Sequence, residues 1–195
     1  NKPLPGSTGN TGITTNVGSI KNSGIEFELN TINIETDMFK WSTNLNITTT
    51  TNEITELTQE SFINGTKRWE VGTSLYEFFL REYAGVDSSN GKALWFKDIL
   101  DAEGEETGEK TTTDVYADAT RYSTGKESLP DFQGGITNTF IYGDFDLNVL
   151  MNFSVGAYVY DSTYAGLMGS FETLGSGSSV DISNRWQKPG DITNV

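Results

Sequence analysis

The sequence predicts an all-β fold: an antiparallel meander of long strands with one apolar and one polar face, a fragment of a transmembrane β-barrel with long extracellular loops. Three observations predict it. From Phe145 to Tyr160 the odd positions are Phe145, Leu147, Val149, Met151, Phe153, Val155, Ala157 and Val159, while Asp146, Asn148, Asn152, Ser154 and Gly156 fall between them. A period of two sends the two sets to opposite faces of a strand. The run is also long: about fifteen residues at ~3.3 Å each span roughly 50 Å, well beyond an ordinary globular strand. Finally, 21 Gly against 4 Pro, with 11 Phe and 8 Tyr among abundant Thr and Asn, favours strands and turns. A barrel strand that faces lipid on one side and a wet lumen on the other has this pattern.

Taken in order, Pro5–Thr15 reads as a Gly/Ser/Thr-rich loop. A first hairpin is expected over 19–50. Its outgoing strand places Ile25, Phe27 and Leu29 opposite Glu26, Glu28 and Asn30, and the two glutamates face the expected lumen. After the short Thr36-Asp37-Met38 turn, Phe39, Trp41, Thr43, Leu45 and Ile47 share a face on the return strand. Aromatics beside a turn suit the interfacial girdle of a barrel. Residues 51–130 form a long excursion of different character. Within it Lys92–Asp98 is short for a strand of roughly 9–11 residues crossing lipid, so a hairpin outside the bilayer is expected there. Asp101–Glu109 reads as a solvated acidic loop, followed by polar sequence to Ser128. A second hairpin, 131–161, repeats the first, and 162–195 returns to extracellular loop. The opening residues Asn1-Lys2-Pro3-Leu4-Pro5-Gly6 read as mid-chain sequence, which points to a piece of a larger protein.

Composition removes several function classes. Thirteen Lys plus Arg against 27 Asp plus Glu leave a formal net charge of −14, the wrong sign for nucleic acid. With no Cys and no His, thiol chemistry and histidine-based acid–base or metal chemistry have no residues to use. A carboxylate pair is the remaining catalytic option, and among 27 acidic residues proximity alone carries little weight. The chain is therefore read as a non-enzyme without cofactor or metal. Asp87, Ser89 and Gly91 are too closely spaced for a twelve-residue calcium loop and read as a plain turn. The aromatics Trp69, Tyr76, Tyr83, Trp95 and Phe96 are the candidate substrate-binding residues, as a sugar-stacking platform; the plainer alternative is that they pack a small core of the excursion. The edges and apolar face of four long strands also lead us to expect that isolated material self-associates or covers that face with a helix or loop.

Several segments carry a more specific signal. Asn16-Val-Gly-Ser-Ile-Lys-Asn-Ser-Gly-Ile-Glu26, Phe39-Lys-Trp41 with Asn44 and Asn46, and Glu82-Tyr-Ala-Gly-Val-Asp87 with Gly91 and Leu94-Trp-Phe96 are three of them. Leu129-Pro-Asp-Phe-Gln-Gly-Gly-Ile136, Tyr142-Gly-Asp-Phe-Asp-Leu147 and Asn184-Arg-Trp-Gln-Lys-Pro-Gly-Asp191 complete the set. In this order they resemble the late barrel of the SusC/RagA family of TonB-linked outer-membrane proteins, with only Asp98–Ser128 lacking a clear counterpart. The resemblance implies a 22-stranded barrel with an N-terminal plug, driven by TonB through a part not present here. It further implies a SusD-like surface lipoprotein as partner, import of glycans or oligopeptides, and the outer membrane of a Gram-negative bacterium as location. At roughly ten residues per strand, 22 strands exceed the 195 residues of this chain, so it is expected to be one portion of such a transporter. A soluble carbohydrate-binding β-module is the alternative, and it needs a second sheet to bury the apolar positions.

Overall fold

A computed structural model describes residues 2–3, 12–13, 16–169, 175 and 177–195. Most of the loop expected over Pro5–Thr15 lies outside the described residues. The chain divides into two compact units, Asn1–Phe78 with Gly125–Tyr158, and Phe79–Thr124 with Val159–Val195.

In the first unit a two-residue pair, β1 (Lys2–Pro3) and β2 (Gly12–Ile13), precedes the main sheet. That sheet is built from β3 (Gly18–Glu35), β4 (Phe39–Leu57), β12 (Phe132–Tyr142) and β13 (Phe145–Val155), in the spatial order β13-β12-β4-β3. All three pairings are antiparallel, and β4 and β12 are neighbours although the whole excursion separates them in sequence. The smaller strands β5 (Ser61–Asn64) and β6 (Lys67–Glu70) form a hairpin, followed by β7 (Glu77–Arg81). In the second unit β8 (Tyr83–Val86), β9 (Ala93–Leu100) and β10 (Glu106–Thr113) make a three-stranded antiparallel sheet. A 3-10 turn at Tyr116–Asp118, β11 (Arg121–Glu127), the helix α1 (Ser162–Gly169) and a second 3-10 turn at Val180–Asn184 complete the elements.

Register turns the strand pattern into rows of side chains across the main sheet. Leu29, Leu45, Ile136 and Met151 form one row of the apolar face, and Phe27, Ile47, Gly134 and Phe153 the next. Towards the turns come Ile34, Trp41, Phe140 and Leu147, then Phe39, Tyr142 and Phe145. Ile34 joins this face only because the ladder shifts between Ile32 and Ile34. Skipping Asn33, it brings an even-numbered residue into line with odd-numbered ones, as a β-bulge does. Trp41 and Phe140 stack with centroids 5.7 Å apart, and Phe132 meets Phe153 edge-on at 6.1 Å. Gly134 is required beneath that pair: a Cβ there would meet the Phe153 ring at 2.8 Å and the Asn46 carbonyl closer still.

Among the described residues no helix or loop covers this face, so of the two arrangements expected of isolated material, self-association or a covered face, the second is not found. Phe27 is 52 % exposed, Leu147 59 % and Met151 50 %. The buried apolar positions among the described residues are few, Ile54, Phe78 and Ala119. Ile54 lies in the part of β4 that outruns β12. There the backbone of Gly72 and Thr73 takes over the ladder, with Ile54 donating to the Thr73 carbonyl at 2.8 Å and accepting from Gly72 at 2.8 Å. Asn52 is buried beside it; its Nδ2 donates to Asn22 at 2.6 Å and its Oδ1 accepts from the Leu75 amide at 2.9 Å.

Two strand bounds and two segments read as loop differ from the sequence reading. The run expected to continue to Tyr160 leaves the ladder after Val155, because Pro130 has no N–H to extend β12 and Gly156 turns to φ +88 against Asp131. The return strand of the first hairpin runs on to Leu57, beyond the Thr50 end expected from sequence. The polar stretch after the acidic loop contains two strands, β10 and β11, and the closing loop contains α1. In β10 the apolar alternation that marks a strand is missing, since its residues are all polar or Gly.

Candidate functional site

The polar face of the main sheet is the first candidate surface. Its rows are Glu26, Thr48, Gln133 and Ser154; then Glu28, Asn46, Gly135 and Asn152; then Asn30, Asn44, Thr137 and Leu150. Nearer the turns lie Ile32, Ser42, Thr139 and Asn148. Carboxamides and hydroxyls dominate, and they bond to one another across strands. Asn44 Nδ2 donates to Asn30 Oδ1 at 2.6 Å and to Glu28 Oε1 at 3.1 Å, and Thr139 Oγ1 donates to Asn148 at 2.7 Å. Close to the turn Lys40 pairs with Glu35 at 2.8 Å. Such a wall presents donors and acceptors, with the carboxylates of Glu26 and Glu28 on its β3 side. Glu26 and Glu28 fall on this face, as the alternation predicts.

Between its apolar rows the opposite face has a polar row, Thr31, Thr43 and Asn138, which ends on Val149. Asn138 Oδ1 accepts from Trp41 Nε1 at 3.0 Å and from Thr43 Oγ1 at 2.7 Å, and Asn33 Nδ2 donates to Thr43 at 2.6 Å. Satisfying its groups internally makes this row tolerable on an apolar face. Asn138→Ala is expected to destabilise by about 1–2 kcal/mol, since two donors lose their acceptor, whereas Thr137→Ala on the polar face changes little; chemical unfolding checks the difference.

The five aromatics expected to form one platform are distributed over different surfaces. Trp69 lies in β6 opposite Phe62, with its indole N–H buried and without an acceptor among the described residues. Tyr76 belongs to the same unit; its carbonyl accepts from Lys67 Nζ, which also sits 3.5 Å from the Phe78 ring centroid and bonds Ser128 Oγ at 3.2 Å. Burial pushes the Lys67 ammonium down, opposed by Glu127. In the second unit Tyr83 and Trp95 are cross-strand partners, 6.3 Å apart and edge-on. Tyr116, hidden in a stretch that reads as polar loop, meets Trp95 at 5.1 Å. Phe96, next to Trp95 in β9, belongs to the other face of that strand. There Lys110 lies 5.6 Å from the Phe96 centroid and 3.8 Å from that of Tyr122, and it bonds Glu82 at 2.9 Å. That bond raises the Lys110 pKa.

Two of the motif-bearing segments, nearly a hundred residues apart, meet in this unit. Asp87 closes a turn in which Ser89 donates to Oδ1 from its amide at 2.8 Å and its hydroxyl at 2.6 Å, while Asn90 Nδ2 donates to Oδ2 at 2.7 Å. The Ser88 carbonyl accepts from Trp186 Nε1 at 3.1 Å and from the Gly190 amide at 2.8 Å. Asp191 caps the other side of this clasp, accepting from the amides of Gln187 and Lys188 at 3.1 and 3.0 Å. The hydrogen bonds from Ser89 hold the Asp87 carboxyl below the usual range, and the bond to Lys92 does the same for Asp114. A depressed folded pKa contributes stability above the unfolded value of ~3.9, which is lost as pH falls through the folded value. The clasp is therefore expected to stay intact at neutral pH and to loosen in acid below about pH 4. Trp186 emission through an acid titration reads this.

An open sheet of long antiparallel strands, with a continuous apolar face on one side and a hydrogen-bonding wall on the other, defines a segment of transmembrane β-barrel wall. No family model matches the chain. It is similar to TonB-dependent receptor P3 of Formosa agariphila, 29 % identical over 219 residues that cover 100 % of this chain and 20 % of that protein. It is also similar to TonB-dependent receptor SusC of Bacteroides thetaiotaomicron, 29 % identical over 170 residues, 80 % of this chain and 16 % of that one. The structure of the RagAB peptide transporter superposes with a TM-score of 0.79 at 24 % identity, covering 100 % of this chain and 22 % of that one. Relatives named TonB-dependent receptors thus cover the whole chain, SusC four fifths of it, and its fold matches a fragment of such a receptor's β-barrel. The chain spans about a fifth of the length of the first of these relatives.

Proposed function

We propose that this chain is a late portion of the barrel wall of an outer-membrane, TonB-linked nutrient importer of the SusC/RagA type. The main sheet crosses the bilayer, 51–130 and 162–195 lie on the extracellular side, and solute passes along the carboxamide face without any bond being made or broken. A SusD-like lipoprotein as partner and glycans or oligopeptides as cargo follow from the likeness to SusC and to the RagAB peptide transporter. The observation that carries the reading is the exposed apolar face, whose rows run from Phe27 and Phe153 to Phe39, Tyr142 and Phe145 and are aromatic at both ends. A soluble carbohydrate-binding module would bury Leu45, Ile136 and Met151 under a second sheet. The half-exposed Met151 and Leu147 do not favour that.

The chain has no cysteine, so single substitutions give a clean test. Cysteines placed one at a time along Leu147–Ser154 are probed in outer-membrane vesicles with a membrane-impermeant maleimide. N148C, N152C and S154C are expected to react, and L147C, V149C and M151C to be protected. Reactivity without that alternation sinks the proposal.

A further inference from the structure

The chain contains two Asn-Gly pairs, Asn64-Gly65 and Asn90-Gly91. We propose that Asn64 is a site of spontaneous deamidation and that the fold protects Asn90 from the same reaction. In such a pair the backbone nitrogen of the glycine attacks the side-chain carbonyl carbon of the asparagine, since no Cβ shields it. A C–N bond forms, the carboxamide C–N bond breaks, and ammonia leaves with the proton of the backbone amide. The product is a five-membered succinimide. Water opens that ring at either carbonyl, so the residue becomes aspartate or an isoaspartate whose backbone runs through the side-chain carbon. The net change is hydrolysis of one carboxamide to a carboxylate and ammonium, with no oxidant or reductant.

Asn64 meets the needs of this chemistry. It is the last residue of β5 and Lys67 the first of β6, so Gly65 and Thr66 alone make the turn. Gly65 has φ +61 in the first of these two places, as in a type II′ hairpin. Asn64 and Gly65 are both exposed, and the Asn64 carboxamide has no hydrogen-bond partner among the described residues. Nothing lies within 4 Å of the place a Cβ on Gly65 would occupy. The carboxamide can therefore swing towards the glycine nitrogen without displacing a neighbour.

Asn90 differs in each respect. Its Nδ2 donates to Asp87 Oδ2 at 2.7 Å and its Oδ1 accepts from the Lys92 amide at 2.9 Å, so both ends of the carboxamide are tied. The Gly91 amide, which would be the nucleophile, donates to the Asp87 carbonyl at 2.8 Å, and the Trp186 ring lies against the Gly91 Cα. Ring closure there must first break three hydrogen bonds, which lowers the reactive population about tenfold or more. At Asn64 the product is a carboxylate opposite Lys67, whose ammonium is otherwise held by the Tyr76 carbonyl and Ser128 Oγ. The β5–β6 turn thus gains negative charge as the molecule ages.

The intact protein in outer-membrane vesicles is aged in mildly alkaline buffer, and a second sample is aged unfolded in urea. Both are digested at acid pH, where ring closure is slow, and the peptides holding Asn64 and Asn90 are separated and weighed. In vesicles Asn64 is expected to convert about tenfold or more faster than Asn90, giving aspartyl and isoaspartyl products, and in urea the two convert at similar rates. Asp87→Ala is expected to speed Asn90 and leave Asn64 unchanged. Asn64→Gln, which would need a larger ring, is expected to remove the acidic form that isoelectric focusing shows first. Equal rates for Asn64 and Asn90 in vesicles, the same difference persisting in urea, no response of Asn90 to Asp87→Ala, or an acidic form that grows as fast in Asn64→Gln overturns the assignment.

Discussion

Met151→Arg is expected to destabilise the membrane-embedded protein by about 2–4 kcal/mol, while Asn152→Arg, one residue along, costs under about 1 kcal/mol. Met151 stands in the row Leu29, Leu45, Ile136 and Met151, between the Phe27 row and the polar Thr31 row, and so near mid-height of the apolar band. From Phe39 to Thr49 is ten residues' travel, about 33 Å along the strand, and a tilt near 40° reduces it to roughly 25 Å along the normal, the height of a lipid-facing band. An arginine there must reach through hydrocarbon or pull water and headgroups down to it, with no partner on that row. The Asn152 side chain instead lies among Glu28, Asn46 and Gly135 on the polar wall, where a guanidinium stays hydrated and faces a carboxylate. Denaturant unfolding in phospholipid vesicles measures both. Equal costs for the two variants would mean that the sheet does not separate lipid from water.

The alternation that places these residues is plain in β13, where the odd positions stay apolar along all eleven residues. β3 is less plain, because the apolar positions change from Ile25, Phe27 and Leu29 to Ile32 and Ile34, a switch of parity within one strand. The ladder shift at Asn33 is its cause, and it returns Ile34 to the Trp41 row while leaving Ile32 opposite Ser42. Sequence registers the switch, but which residue is passed over depends on Asn33 bonding Thr43 across the pair. β10 is not legible in sequence, for Glu106–Thr113 has no apolar residue and owes its strand to pairing with Trp95-Phe96 and their neighbours in β9. Tyr116 escapes a sequence reading for the same reason. It lies in polar sequence, and only the fold of β9 and β10 brings it to Trp95. Adjacency groups Trp95 with Phe96, although neighbours in a strand face opposite ways, a rule that the sequence already contains.

Gly91→Val is expected to cost about 2–4 kcal/mol of local stability and to release the clasp between residues 87–91 and 184–191. Two physical causes add. Gly91 has φ +76, where a β-branched residue is strained. Its Cα also lies so close under the Trp186 ring that any Cβ would collide with the indole, and the ring is held in place by its own bond to the Ser88 carbonyl. Gly65 separates the causes: it has φ +61 and nothing within 4 Å of the place a Cβ would occupy, so Gly65→Ala carries backbone strain alone. Gly65→Ala should therefore cost about 1 kcal/mol, and Gly91→Ala distinctly more. Hydrogen exchange reads the clasp directly, because the Trp186 indole N–H and the Gly190 amide both donate to Ser88. Their protection should fall together in Gly91→Val, and Trp186→Phe in the otherwise natural chain should lower Gly190 protection less, since it keeps a ring above Gly91 and removes one hydrogen bond. Unchanged protection in Gly91→Val would show that the indole yields freely and that the two distant segments are not coupled through it.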